Sequence, residues 1–308
     1  MKLPDFPDLS ADRLEAVSRR FGGRPLTRLP EVGIFNAVFA LGDDLILRVP
    51  RDDPKFAEAL ERESRIIPMA RAAGVRTPDL IVFEEDHALF PWPFVVLERV
   101  PGTHLAALDL EPEAVADVWR ELGADYARLH AGVLPGADNA DLVSHDLPDP
   151  REMAARCAEE GHYGPSEVRW LDRWLARLEE AARTDHPRRF LHGDPQATNV
   201  MVDPAGPRYR AVIDWGAATW GDPAWDFAGV PLRAVPFMLE GYRAQGLLDP
   251  DPSLEARILR RQLQVGLFLL GRGPAPGRSW AERSAGVLLE VLRFLTSPQG
   301  AAWNAWIS

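Results

Sequence analysis

The apolar positions of this chain change period about one third of the way along. Residues 34–41 (IFNAVFAL) and 45–49 (LILRV) are short apolar runs on either side of Gly42-Asp43-Asp44, a turn signal, and together they predict a β-hairpin. Asp53 followed by Pro54 then opens a helix, as an N-cap ahead of a proline at the first helical position. Phe56, Leu60, Ile67 and Ala70 recur on one face of that helix, and Gly74 ends it. Residues 79–84 and 94–100 predict a second strand pair around a turn at Glu84–His87. Past Pro101-Gly102 the spacing becomes helical. Val115, Trp119, Leu122, Tyr126 and Leu129 form one stripe and Val168, Leu171, Leu175 and Leu178 another, and both read as core faces. Two short strands at about 199–203 and 210–214 interrupt the helices. Helix returns from 223, and a Gly/Pro-rich break at 271–277 precedes a last helix carrying Val287, Leu288, Val291 and Leu295. The pattern predicts an α+β fold of two lobes: a small β-rich N-terminal lobe over 1–100, a hinge near 97–102, and a larger helical lobe over 101–308.

Composition narrows the function classes. With 46% apolar residues over 308 positions the chain can bury a large core. A net charge of −11 argues against nucleic acid as a partner. Cys157 is the single cysteine, which excludes a disulfide framework and a cysteine-based zinc site. The opening MKLPDFPDLSADRLEAV holds acids and prolines where a signal peptide needs an apolar run, and no run approaches the roughly 20 residues of a membrane span. The expectation is a cytoplasmic chain with no membrane partner, and nothing in the pattern speaks to an oligomeric state. Lys2 and Lys55 are the only lysines, so an arginine at a given place does not by itself indicate selection for bidentate geometry.

The candidate chemistry is concentrated in residues 190–228, which read FLHGDPQATNVMVD and, after a short turn, AVIDWGAATWGDPAWDFA. Asp194 and Asn199 lie five residues apart in a loop flanked by Leu191 and by Val200-Met201-Val202, and Val212-Ile213 leads to Asp214. Strand ends thus present three oxygen-bearing side chains from an apolar frame. Magnesium favours a few carboxylate or amide oxygens completed by substrate phosphates, and a separate carboxylate can orient and deprotonate a hydroxyl. An isolated aspartate in a loop is more often a turn or cap residue, but the paired pattern is far more specific than any one of its parts.

These two segments resemble the catalytic and metal segments of the aminoglycoside phosphotransferase-like family, whose members have a bilobal, protein-kinase-like fold. The likeness is strong over about 188–230 and weak elsewhere. It implies a magnesium- and ATP- or GTP-dependent kinase, with Asp194 as catalytic base, Asn199 and Asp214 as magnesium ligands, His192 bracing the loop, and Asp226 anchoring the loop backbone from a helix start. Thr198 stands where the family commonly has glycine, so the backbone there must avoid positive φ or accept strain.

The same resemblance maps the nucleotide side. Gly33-Ile34-Phe35-Asn36 is similar to the nucleotide loop, which makes Gly33 and Asn36 candidates; a plain turn is as good a reading of those two residues alone. Arg48 sits on the strand where the family commonly has lysine and is the candidate for the phosphate contact. Glu63 is its candidate partner, with Glu61 the competitor. Leu97-Glu98-Arg99-Val100 resembles the hinge, where backbone groups of Glu98 and Val100 would meet the base edge. The acceptor stays open between an aminoglycoside or related antibiotic and a metabolic alcohol or sugar. Residues 104–190 hold eighteen acids against ten arginines, which suits a cationic acceptor, while 229–308 hold six against nine, which does not. Trp220 and Trp225, near the metal motif, are candidates to line a pocket, although aromatics are more often core. The alternatives are a protein kinase, disfavoured because nothing like Ala-Pro-Glu follows Asp214, and a nucleotide-binding pseudokinase, disfavoured because Asp194, Asn199 and Asp214 are all present.

Overall fold

Burial on both faces makes the predicted hairpin the centre of an antiparallel sheet. The computed structural model describes residues 3–29, 35–143, 147–182, 186–274 and 283–306. Helix α1 (Ala11–Arg20) leads into strands β1 (Leu26–Arg28), β2 (Asn36–Leu41) and β3 (Leu45–Pro50). Helix α2 (Pro54–Ala72) follows, then β4 (Leu80–Glu84) and β5 (Phe94–Glu98), and the sheet order is β1-β2-β3-β5-β4. The register Ala37↔Val49, Phe39↔Leu47, Leu41↔Leu45 puts those side chains on one face, where they pack with Val17 of α1, Phe90, Phe94 and Val96. On the other face α2 packs Leu60, Ile66, Ile67 and Ala70 in one core with Val95 and Leu97. Arg48, paired with Val95, shares that second face and so points toward α2. The Asp53 side chain accepts the Lys55 amide at 3.0 Å, as the N-cap reading requires.

The β4–β5 connection is longer than the predicted turn at Glu84–His87. Asp86 closes a turn on the Ala88 amide at 2.9 Å, His87 takes φ +53°, and the chain then drops Phe90 into the core before β5 begins. The gain from burying that phenyl ring outweighs the tighter hairpin.

After β5 the chain forms β6 (Thr103–His104), α3 (Ala116–Gly132), α4 (Pro150–Glu159), α5 (Pro165–Ala181), β7 (Arg189–Leu191), β8 (Val200–Val202), β9 (Tyr209–Val212), β10 (Thr219–Gly221), α6 (Val235–Ala244), α7 (Leu254–Leu270) and α8 (Gly286–Leu295). Two small antiparallel sheets, β6-β8-β9 and β7-β10, lie among these helices. The strands β7 and β10 escape the sequence reading because each is three residues long and, unlike the equally short Val200–Val202 of β8, neither is a continuous apolar run. The stripes on α3 and α5 face the core as predicted, with Val168 half-buried at the margin. Among the described residues no helix is long and apolar enough to cross a membrane.

Helices α3 and α6 touch through their backbones. A Cβ on Gly123 would lie 2.0 Å from the Met238 carbonyl oxygen, and one on Gly241 would lie 1.9 Å from that of Arg120. This contact sets how closely α3 and α6 approach each other. In an open helix Gly→Ala stabilises by about 1 kcal/mol. Here we expect Gly241→Ala to lower the unfolding free energy by about 1–3 kcal/mol through overpacking. Urea denaturation reads the sign, and an unchanged or raised midpoint would show that the helices part without cost.

Candidate active site

Strand β7 delivers the chain to a sharp turn at His192-Gly193-Asp194. Gly193 has φ +81°, and a Cβ there would stand 2.2 Å from the Ala217 carbonyl oxygen, so the turn admits only glycine. Two side chains brace it. The Asp194 amide donates to His192 Nδ1 at 3.3 Å, and His192 Nε2 donates to the Ile213 carbonyl at 3.1 Å, so one tautomer satisfies both contacts. Asp226, fully buried, accepts the His192 amide at 2.8 Å and the Gly193 amide at 2.8 Å. It lies within a short 3-10 turn, Pro223–Phe227, capped by the Asp222 side chain on the Ala224 amide at 3.0 Å.

Asn199 ends a 3-10 turn over Ala197–Asn199 immediately before β8. Thr198, inside that turn, is not among the residues with positive φ, so the missing glycine costs nothing. Its carbonyl bonds His104 Nδ1 instead. Strands β8 and β9 pair Val200↔Val212, and the Ile213 amide donates to the Asn199 carbonyl at 2.9 Å. This pairing brings the Asn199 and Asp214 ends side by side. Asn199 Nδ2 donates to the Asp194 carbonyl at 3.0 Å and to Asp194 Oδ2 at 2.9 Å, while Gln196 Nε2 donates to Asp194 Oδ1 at 2.7 Å. Burial pushes the Asp194 carboxyl above the ordinary aspartate range, and nearby Asp214 adds to the push while the Gln196 and Asn199 hydrogen bonds oppose it.

A buried ion pair of the N-terminal part reaches this loop. Arg48 Nη1 contacts Glu63 Oε1 at 2.7 Å, and Arg48 Nη2 lies 3.8 Å from Asp214 Oδ1. Glu63, not the exposed Glu61, is the partner. Burial alone would lower the Arg48 pKa, but the Glu63 and Asp214 carboxylates beside it raise it above its ordinary value. The same Glu63 oxygen accepts the Trp215 amide at 3.2 Å, and the Trp215 indole donates to Thr77 Oγ1 at 2.8 Å. Sequence reasoning passed over Trp215, Thr77 and Gln196. Trp215 adjoins Asp214, and that adjacency was its one available signal.

Of the remaining candidates, those the structure describes have other hydrogen-bond partners or none. Gly33 lies outside the described residues. Asn36 opens β2 and is buried, and its Oδ1 has no partner among the described residues. Glu98 is exposed at the end of β5, with its amide donating to the Asp79 carbonyl at 2.9 Å and its Oε2 accepting the Asp79 amide at 3.1 Å. Val100 follows it, half-buried. Trp220 is packing: its indole donates to the Asn139 carbonyl at 3.0 Å and its ring meets Phe190 edge-on. Trp225 lies under the Arg261 guanidinium, 4.9 Å from ring centre to charge.

Among the described residues no three His, Cys, Asp or Glu side chains converge into a protein-made metal cage. The donor set that could take a divalent cation is smaller. With both Asn199 amide hydrogens directed at Asp194, Oδ1 is the atom left to coordinate, and the Asp214 carboxylate stands on the neighbouring strand end. Few protein oxygens plus phosphate and water is the manner of magnesium rather than of a structural zinc.

Removing one member of a buried ion pair strands the other. We expect Arg48→Met to cost about 3–5 kcal/mol in unfolding free energy, and the double variant Arg48→Met/Glu63→Met to cost much less. Equal losses in urea denaturation would mean that the pair's geometry, and not the stranded carboxylate, carries the effect.

The chain is similar to several characterised proteins. Acyl-CoA dehydrogenase family member 10 of Mus musculus is 27% identical over 229 residues, which are 68% of this chain and 20% of that protein. The chain therefore spans about a fifth of that relative's length. Among solved structures, the GDP complex of wild-type aminoglycoside 2'-phosphotransferase-IIIa superposes with a TM-score of 0.63 at 17% identity, over 93% of this chain and 98% of that one. The apoenzyme of macrolide 2'-phosphotransferase MphH from Brachybacterium faecium superposes with a TM-score of 0.56 at 25% identity, over 88% and 97%. The fold is thus the bilobal, protein-kinase-like one of these enzymes. The family model described as the phosphotransferase enzyme family matches residues 27–256, and this chain belongs to that family.

Proposed function

We propose that this chain is a small-molecule kinase that moves the terminal phosphoryl group of ATP or GTP to a hydroxyl of its acceptor. The observation that supports this best is the placement of Asn199: its strand end pairs beside Asp214 while its amide group holds the Asp194 carboxylate. In this reading residues 1–100 receive the nucleotide, and residues 101–308 carry the catalytic groups and the acceptor site. Arg48, held by Glu63, pairs with phosphate oxygens. Gly33 and Asn36 belong to the loop over the phosphates. The nucleobase meets backbone groups of Glu98 and Val100, other than the Glu98 amide, which the Asp79 carbonyl already engages.

Asn199 Oδ1 and the Asp214 carboxylate would hold magnesium, which when bound supplies positive charge against the phosphate oxygens. Asp194 orients the acceptor hydroxyl and takes its proton. The acceptor oxygen bonds to the γ-phosphorus, the bond from that phosphorus to the bridging oxygen breaks, and the nucleoside diphosphate leaves with the electron pair. His192 and Asp226 hold the loop and take no part in proton transfer. The solved relatives are named for antibiotics and the mouse relative for a metabolic enzyme family, so both acceptor classes belong in a test.

A panel of aminoglycosides, macrolides, amino alcohols, hydroxy acids and sugars, assayed with Mg-ATP and Mg-GTP, tests the activity. Asp194→Asn should lower turnover by about 10²- to 10⁴-fold, the usual general-base contribution. We expect the upper end, because an amide at 194 must set its NH₂ against Gln196 Nε2 or Asn199 Nδ2. Nucleotide affinity should stay within about 3-fold, the acceptor-facing base being separate from the metal oxygens. Asp214→Ala should abolish the magnesium-dependent thermal shift given by nucleotide. Near-normal turnover in Asp194→Asn, or an unchanged shift in Asp214→Ala, would remove the corresponding role.

A further inference from the structure

One histidine interrupts the apolar stripe of α3 at its C-terminal end. His130 is 1% exposed, and both of its ring nitrogens are engaged: Nε2 lies 3.0 Å from Asp226 Oδ2 and Nδ1 lies 2.9 Å from the Tyr242 hydroxyl. A carboxylate only accepts, so Nε2 carries the proton, and Nδ1 accepts from the hydroxyl of Tyr242. The ring cannot swing away. Tyr126 stacks on it with planes 10° apart at 6.2 Å, and Tyr242 meets it edge-on at 5.5 Å. Asp226 therefore receives donors from two directions. His130 on α3 and the His192 amide share Oδ2, and the Gly193 amide takes Oδ1.

We propose that His130, oriented by Tyr242, is a positioning residue for phosphoryl transfer, acting through Asp226 on the His192–Gly193 backbone and so on the placement of Asp194. The proposal rests on the reading of Asp194 as the base. Packing alone does not call for this arrangement. Leucine at 130 would fill much of the same space without a buried polar chain that must be fully satisfied. What the polar chain adds is orientation. With His130 in place the Asp226 carboxylate cannot turn about its own axis without losing a donor. Its two oxygens then fix two consecutive amides of a turn whose glycine is already hard against Ala217. Asp194 is the next residue, and its carboxylate must reach Asn199 and Gln196 together.

The test compares His130→Leu, His130→Gln, Tyr242→Phe and the double variant His130→Leu/Tyr242→Phe with wild type, with Asp194→Ala as control. Two readouts are taken: turnover of Mg-ATP and Mg-GTP with nucleotide affinity, and amide hydrogen exchange followed by mass spectrometry. His130→Leu should lower kcat about 10- to 100-fold, the size expected for loss of one charge-assisted hydrogen bond at the site, with nucleotide affinity within about 3-fold. His130→Gln, whose amide can still donate to Asp226, should recover most of that loss. Tyr242→Phe should give a smaller loss, and none beyond that of His130→Leu when the two are combined. In His130→Leu, exchange should quicken in the peptide covering 190–199 while the rest of α3 stays protected. Unchanged exchange at 190–199, or equal quickening throughout the chain, would overturn the proposal, as would additive losses in the double variant. If Asp194→Ala turns over nucleotide like wild type, the reading of Asp194 fails. If Asp194→Ala is inactive and His130→Leu is not, the positioning role alone fails.

Discussion

Taking an ionised carboxylate out of water costs several kcal/mol unless its oxygens find donors, and Asp226 finds three. Two of the three are consecutive backbone amides of the turn that ends in Asp194, and this determines what else can happen nearby. A turn held by its amides has its carbonyls and side chains directed elsewhere. Here they are directed toward Asn199, whose side chain bonds both the carbonyl and the carboxylate of Asp194. The Gly193 conformation, the close approach of Ala217 and the His192 bridge to Ile213 are consequences of fitting that turn over a buried acid.

The second constraint joins the sheet of the N-terminal part to the loop region. Glu63 lies on a helix of the first part, yet its Oε1 accepts from Arg48 on the sheet and from the amide of Trp215 beyond β9. Arg76, just past α2, makes a parallel tie. Its carbonyl accepts the Val212 amide at 2.9 Å, and its guanidinium bonds the buried Asp125 of α3 and covers the ring of Tyr209. These links cross between the parts within a few residues of Asp214, beside the Trp215 indole bond to Thr77. Separating the parts would expose Glu63 and Asp125 together, which makes the arrangement more than the sum of two surface ion pairs.

Much of this was legible in the sequence, and the limits follow from physics. The α2 helix was readable because Asp53-Pro54, an apolar stripe and Gly74 all agree on one element. The pairing of Arg48 with Glu63 was readable because the stripe puts Glu63, but not Glu61, on the buried side. Asp194, Asn199 and Asp214 stood out because polar residues between apolar strand ends are conspicuous. The strands β7 and β10 were not readable, since each is three residues long and lacks the continuous apolar run that marked β8. Nor was the place of Phe90, which depends on a cavity that exists only once the sheet has formed. His130 was hidden for a different reason. It continues a stripe of core positions, and its partners Asp226 and Tyr242 are 96 and 112 residues away. A polar residue on an apolar stripe signals a buried partner, but spacing cannot say which.

Asp214 adds a last step. Its φ of +68° lies in the left-handed region, which costs a side-chain-bearing residue on the order of 1 kcal/mol. Such a conformation persists only where its surroundings leave no better choice. The surroundings here are specific. On one side the Ile213 amide is tied to Asn199, and on the other Trp215 is pinned twice, by its amide to Glu63 and by its indole to Thr77. A chain fixed at both neighbours must make the whole reversal at Asp214 itself. The same turn sets its carboxylate beside Arg48, at 3.8 Å. The strained residue, the arginine and the helix glutamate are thus one mechanical unit, and a substitution at any of them is felt at the other two.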